Sequence, residues 1–345
     1  GQVRKGFTYF VEGDVIFAKI TPCMQNGKSA IASGLTNHLG FGSTEFHVVR
    51  PDLTKVCAEW LFYYLRRAEY LREATRHFQG AVGQQRVPAS FLENTKIPVP
   101  PLEEQRRIVA RIKECMERVE EIERLRAEAN AEREALFESA LNKRFDEISA
   151  ASGAKKLEEV TLIRGGASLP KGSAERREGD VLLVKVAEMN LPENERIVSL
   201  SRQYARVNLK PKAVIQPGAI IFPKRGGAIA TNKKRILGQA AYIDPNLMAI
   251  EPEPKQMCSD FLYYWSRTLD LRSISNGGVI PQLNRKDLAP LEIPVPPLAE
   301  QKDLAVEFKT LETTCFLLLT EFSESSTEIS WVRDGILRKA FAGQL

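Results

Sequence analysis

The chain repeats itself, and this repeat limits its possible folds more than any other feature. Residues 97–105 read IPVPPLEEQ and residues 293–301 read IPVPPLAEQ, eight identical positions of nine at an offset of 196. An aromatic, helix-like segment precedes each copy, EWLFYYLRR at 59–67 and DFLYYWSRT at 260–268. Further upstream, EGDVIFAKI at 12–20 resembles PGAIIFPKR at 217–225. Each copy runs on into a long stretch almost free of Gly and Pro, which ends in ALFESAL (135–141) or GILRKAF (335–341). One plan is written twice: a globular unit, a Pro-rich joint, a long helix.

The joint has a physical logic. Its prolines fix φ and forbid helix, leaving an extended segment. Pro101 and Pro297 suit the first turn of a helix, where an N–H is not needed. Glu103, Glu104 and Glu300 then sit where the helix dipole favours negative charge. Along the first stretch Ile108, Ile112, Cys115, Val119 and Ile122 step by 4, 3, 4, 3. Along the second, Leu304, Phe308, Leu311, Cys315, Leu318 and Phe322 step by 4, 3, 4, 3, 4. This spacing predicts a helix seam packed on another long helix. Each stretch of ~45 residues would reach ~65 Å. Two such helices, joined through a unit that returns the chain, are expected to pair antiparallel as a coiled-coil spacer. Docking of partners on their outer faces is an addition to that reading. The offset grows from 196 at the joint to 200 at the end, about one extra turn in the second helix.

The fold class expected is α+β: two mixed α/β domains separated by the two long antiparallel helices. Short β-rich runs such as DVIFAKI, EFHVVRP, DVLLVKV and AIIFPK alternate with Gly, Pro and Asn turns, without a regular β-α-β order. The boundaries expected are 1–100 and 155–296 for the globular units, and 101–150 and 297–343 for the helices. Aligned on Gly13 and Gly218, the second unit has roughly sixty residues before the shared strand and the first has 12. Roughly fifty residues of the first unit are therefore expected to be missing. The opening GQVRKGF, without an initiator Met, is read as a start inside a larger gene product.

Charge is informative only locally. The net charge, 49 − 44 = +5, says little about partners. Residues 196–243, however, hold ten Lys/Arg and no Asp or Glu. Confined to one segment, this asymmetry reads as a polyanion-binding face, with a solvated basic surface as the alternative. Within it PKRGGAIATNKKR reads as a flexible basic loop after a strand, offering Lys224, Arg225, Thr231, Asn232, Lys233, Lys234 and Arg235. The weaker counterpart in the first unit is AKITPCMQNGK (18–28), with Lys19, Thr21, Gln25, Asn26 and Lys28. Asn and Gln suit adenine edges, and Arg and Lys suit guanine. A second candidate lies just before each joint. GAVGQQRVP (80–88) offers Gln84, Gln85 and Arg86, and GGVIPQLNRKD (277–287) offers Gln282, Asn284 and Arg285. A structural turn that positions the joint is the alternative there.

No catalytic or metal-ligating residue is assigned. The chain has no G-x-G-x-x-G, no P-loop, no G-x-S-x-G and no N-P-P-[YF]; DPNL at 244–247 is a poor imitation of the last. His38, His47 and His77 lack ligand spacing, and Glu253-Pro254-Lys255 lacks the strand-borne Asp of a nuclease pattern. Cys23, Cys57, Cys115, Cys258 and Cys315 lie far apart without C-x-x-C, as in a reduced, cytoplasmic protein without structural zinc. At 43% apolar and 27% charged residues the chain is neither disordered nor fibrous. Its most apolar run, CFLLL at 315–319, is far short of the ~20 residues a membrane span needs.

The paired joints, the long helices, EGDVIFAKI, FGSTEFHVVRP and the terminal LRKAFAGQL together resemble the specificity subunit of type I restriction–modification systems. The resemblance spans the chain and implies two target recognition domains, each reading half of a split, asymmetric site on double-stranded DNA. It implies that the helices form a spacer and dock two modification (methyltransferase) subunits, with restriction (endonuclease/translocase) subunits joining. It implies no catalysis and no cofactor in this chain, S-adenosylmethionine being expected in the methyltransferase subunit. The short first unit departs from the family pattern. A fragment of a fused DNA methyltransferase or nuclease is the alternative, which an upstream S-adenosylmethionine-binding domain would favour. A coiled-coil scaffold without a nucleic-acid role is a third reading, opposed by the acid-free basic segment.

Overall fold

The structure is a computed structural model that describes residues 6–81, 83–170, 172, 181–278, 280–320 and 326–345; the side chains of 316–320 and 326–327 lie outside the described set. The chain forms two compact units, Gly1–Glu128 with Glu321–Leu345, and Ala129–Thr320. Each therefore takes one globular part together with its own share of the long helices.

In the first unit, strands β1 (Thr8–Val11), β2 (Val15–Ala18), β3 (Ser29–Ile31), β4 (Leu39–Gly42) and β5 (Phe46–Val49) precede helices α1 (Ala58–Leu65), α2 (Ala68–Arg76) and α3 (Ala89–Glu93). The long α4 (Leu102–Ser152) follows as one unbroken helix. Strand β2 is central, antiparallel to β3 and β5, while β1 and β4 form a separate ladder. Val15 and Phe17 alternate inward from β2 into a core with Trp60, Tyr64, Ile108 and Ile112.

The second unit contains β6 (Ala154–Lys156), α5 (Leu157–Val160), β7 (Thr161–Gly165), β8 (Val181–Val184), β9 (Ile197–Val198), β10 (Tyr204–Ala205), β11 (Ile220–Pro223), β12 (Arg235–Leu237), β13 (Ala241–Ile243) and β14 (Leu247–Pro252). Then come α6 (Ser259–Arg267), α7 (Leu271–Ile274), α8 (Arg285–Leu288), β15 (Glu292–Pro294) and α9 (Leu298–Thr320). One sheet runs β7-β14-β11-β12-β9 and a second β10-β8-β13, with β15 and β6 as a small ladder. The repeat is visible here: β11 lies between antiparallel β12 and β14 as β2 lies between β3 and β5. Each central strand is entered through a left-handed glycine, Gly13 at φ +85° and Gly218 at φ +86°, where a Cβ would be strained.

The repeated wording of the joint has a structural cause in its last residue. Gln105 and Gln301 are both fully buried. The Gln105 Oε1 accepts from Cys57 N at 3.0 Å, and its Nε2 donates to the Lys55 and Pro100 carbonyls, each at 2.7 Å. Gln301 repeats the knot, accepting from Cys258 N at 2.8 Å and donating to Gln256 O at 2.8 Å and Pro296 O at 2.9 Å. One carboxamide thus ties the joint, the preceding loop and the start of α1 or α6. Gln301→Ala leaves one donor and two carbonyls buried and unpaired, and is expected to cost about 2–4 kcal/mol in urea unfolding. A loss below about 0.5 kcal/mol would show that the knot holds nothing.

The helix seam is partly as its spacing predicts. In the first unit Ile108 and Ile112 share a core with Leu337 and Ala340 of α10 (Ser326–Phe341), and Val119 is buried. The two helices run antiparallel: Arg107 donates to the Leu345 carbonyl at 3.3 Å, and Arg333 donates to Glu123 at 2.8 Å. In the second unit Leu304 and Phe308 pack with Phe137, Leu141, Phe145 and Ile148 of α4, and half-buried Leu311 lies against that cluster. Ile122 is a correction, being 46% exposed. At that turn Glu123 takes Arg333 in an ion pair. The Leu318 side chain and Phe322 lie outside the described residues.

A candidate nucleic-acid interface built twice

The fold joins the two candidate segments of each unit through the same backbone pairing. In the first unit the chain leaving β2 meets the Gly-rich turn. Thr21 N donates to Gln85 O at 2.9 Å and Val87 N to Lys19 O at 3.0 Å, around an Ile20–Arg86 bridge. The turn is itself a hairpin, closed by Gln79 and Arg86 exchanging bonds of 2.9 and 2.8 Å. In the second unit Gly226 N donates to Pro281 O at 2.8 Å and Leu283 N to Lys224 O at 2.9 Å, around an Arg225–Gln282 bridge. Its hairpin is closed by Asn276 N donating to Gln282 O at 3.1 Å and Gln282 N donating to Asn276 Oδ1 at 2.8 Å. Segments some sixty residues apart thus form one platform in each unit.

On the first platform Gln25, Asn26, Lys28 and Gln84 are exposed, and Lys19, Thr21, Gln85 and Arg86 are half-buried. The Thr21 hydroxyl donates to Gln25 Oε1 at 2.5 Å. Arg86 forks onto Glu45 through bonds of 2.8 and 2.9 Å. The Arg86 guanidinium holds the Glu45 carboxyl below its usual range. Glu45 thus neutralises the arginine of this platform, and no sequence pattern marks it.

On the second platform Arg225 is exposed, with Nη2 3.4 Å from Gln282 Oε1, and Lys224 is half-buried. Gln282 donates in turn to Asn284 Oδ1 at 3.0 Å. Asn284 is occupied as the cap of α8, its backbone N–H donating to Asp287 Oδ2 at 2.8 Å within a capping box. Arg285 is exposed, 3.5 Å from Glu158.

The remaining basic residues require correction. Residues Gly226–Thr231 form a short 3-10 helix rather than a flexible loop, and exposed Thr231 bonds back to Ala228 O at 2.7 Å. Asn232 turns the chain at φ +50°, and its Oδ1 accepts from Leu271 N at 3.0 Å and from Lys234 Nζ at 2.8 Å. Lys234 is only 2% exposed and also donates to Leu269 O at 2.5 Å, so it is an internal anchor with no reach to a phosphate. Burial pushes its ammonium down to about 7. Arg235 is half-buried and burial lowers its pKa also; Lys233 donates to Asn190 Oδ1 at 2.5 Å. These three line a cleft of about 570 Å³ with Arg196, Arg267 and Glu312. Arg196 reaches Asp260 at 3.0 Å and Glu312 at 3.2 Å, so the acid-free run finds its carboxylates elsewhere in the chain. Lys224 and Arg225 are the cations of 224–235 that stand on the platform itself.

Among the described residues no group of three or more His, Cys, Asp or Glu could hold a metal ion. No described helix is long and apolar enough to cross a membrane. The five cysteines are free thiols.

Comparison with known proteins agrees with this twofold plan. The sequence matches the Methylase_S family, described as the type I restriction modification DNA specificity domain, over residues 1–131 and 152–323. It is 43% identical over 122 residues to the type I restriction enzyme EcoAI specificity subunit of Escherichia coli, covering 35% of this chain and 21% of that one. The match thus spans about a fifth of that relative's length. It is 24% identical over 275 residues to the MjaVIII specificity subunit of Methanocaldococcus jannaschii, covering 73% of this chain and 63% of the relative. A solved structure concerned with complex assembly and conformational transition of the type I restriction–modification system matches with a TM-score of 0.70. It is 27% identical, and the match covers 100% of this chain and 85% of that one. With both platforms inside the matched ranges, the chain belongs to the family of type I restriction modification DNA specificity domains.

Proposed function

We propose that this chain is a non-catalytic, sequence-specific DNA-binding subunit that reads a bipartite, asymmetric site and directs the methyltransferase and restriction subunits of a type I restriction–modification complex. The observation that carries the reading is the platform built twice, by the same backbone bonds, in a member of this family. Each globular part, 1–100 and 155–296, reads one half-site. The helical parts, 101–150 and 297–343, serve as spacer and as docking surface for two methyltransferase subunits. S-adenosylmethionine belongs to that partner, and the complex works in the cytoplasm on double-stranded DNA. No observation favours the alternative of a fused methyltransferase or nuclease.

A two-stranded ribbon fits the major groove, where every base pair is distinguishable. Exposed Lys28 and half-buried Lys19 and Lys224 suit phosphates; Arg225, Gln84 and Gln282 suit base edges. Lys224→Ala is expected to weaken binding to all sequences alike and to shallow the salt slope by about 1. Arg225→Ala is expected to cost about 1–3 kcal/mol of discrimination in the second half-site and to leave the first half-site unchanged. Binding to DNA varied in one half-site at a time reads both. Equal effects of Arg225→Ala in both half-sites would overturn the assignment of one unit to each half.

A further inference from the structure

The tip of the second hairpin carries a residue that the charge-and-amide reading of the platform leaves unused. Ile280 is 66% exposed, one residue before the Pro281 carbonyl that accepts from Gly226 N. It stands two residues ahead of the Arg225–Gln282 bridge, and Gly277 and Gly278 precede it in the same turn. No Cβ is present at those two glycines, and one built there would meet open space or only the Ile280 carbonyl at 3.7 Å. An exposed β-branched apolar side chain therefore stands on this turn, two residues before the residue bridged to exposed Arg225. Counting back from the bridged residue, Arg86 in the first unit and Gln282 in the second, Ile280 occupies the place of Gln84. Gln84 is also exposed. The same tip thus carries an amide in one unit and a hydrocarbon in the other.

DNA offers a hydrocarbon side chain few specific targets. The major groove shows one apolar group on a base edge, the C5-methyl of thymine, and an amide suits adenine there instead. We infer that Ile280 is a specificity-determining residue that selects thymine in the second half-site through its C5-methyl group. Resting on the DNA-reading function proposed above, this names the base class that the second platform prefers. Lys224, on the segment that follows β11 and is bridged to this turn, supplies positive charge that holds such a ribbon against phosphates, beside the base-reading Arg225.

The test removes the methyl and nothing else. Once methylome sequencing of a host expressing the complex has reported the motif, the full chain is titrated with duplexes in which each thymine of the second half-site is replaced singly by uracil. The wild type is expected to bind about fourfold more weakly at one position, the effect of one lost methyl contact. Ile280→Gln, which copies the first unit, is expected to bind uracil and thymine duplexes equally at that position, while Ile280→Val keeps the preference. Because the side chain is exposed, both variants are expected to keep the wild-type melting temperature. The inference is overturned if the second half-site contains no thymine, if no uracil position matters, or if Ile280→Gln still senses the methyl. In each of those cases a preserved preference for the intact motif leaves the DNA-reading function standing. Loss of all sequence preference in the wild type overturns that function itself.

Discussion

Phe308→Ala is expected to destabilise the second unit by about 3–5 kcal/mol in urea unfolding. The Phe308 side chain is fully buried and its ring stacks on Phe145, with centroids 5.0 Å apart and planes 27° apart. Tyr264 lies 5.4 Å away and Phe261 6.4 Å away, so one ring links α4, α6 and α9. Truncation removes the transfer energy of the ring and leaves a cavity that three other aromatic side chains must close around. Ile122→Ala is the natural control. It has the same heptad spacing, but at 46% exposure its truncation is expected to cost less than about 0.5 kcal/mol. Comparable losses from the two variants would mean that Ile122 is buried and that the seam runs as the sequence spacing draws it.

The contrast between these residues shows what a sequence can carry. A heptad is a local property, so Ile108, Ile112, Leu304 and Phe308 are legible as seam positions from their spacing alone. Ile122 fits the same spacing, but its burial depends on what α10 presents opposite, and Arg333 seeks Glu123 there. The joint was legible as an extended segment because proline acts on its own backbone. The role of Gln105 and Gln301 was not, because their partners are carbonyls and N–H groups of other segments.

The interface divides in the same way. Both candidate segments of each unit stand out by composition, yet only the fold brings Lys19 to Val87 and Lys224 to Leu283. The basic run was legible as a count of charges. Its electrostatic meaning was not, since Glu312 and Asp260 lie far along the chain and take Arg196, as Glu45 takes Arg86. An apolar residue in a turn carries no periodic pattern, so nothing in the sequence marks Ile280; its exposure and its match to Gln84 emerge only from the paired hairpins.

Lys234 provides the other large effect, and it is a function of pH. Its ammonium titrates near 7 in the folded chain, against 10.5 for an ordinary lysine, chiefly because burial removes water, with the nearby Arg267 charge adding to this. Below pH 7 both folded and unfolded chains carry the proton, and the folded state bears the full burden of a buried cation. Between about pH 7 and 10.5 the unfolded chain binds the proton and the folded one does not, so this residue's contribution to stability rises with pH across that window. At ~1.4 kcal/mol per unit, the rise is on the order of 4–5 kcal/mol. The neutral amine retains two hydrogens for its two acceptors, Leu269 O and Asn232 Oδ1, so the anchor survives deprotonation. Lys234→Met has no such titration. Subtracting the unfolding free energy of Lys234→Met from that of the wild type cancels the other titrating groups. The difference is expected to move toward the wild type by several kcal/mol between pH 6 and pH 10. A difference that stays flat over that range would place Lys234 in contact with water in the folded chain and return it to the set of cations available to DNA.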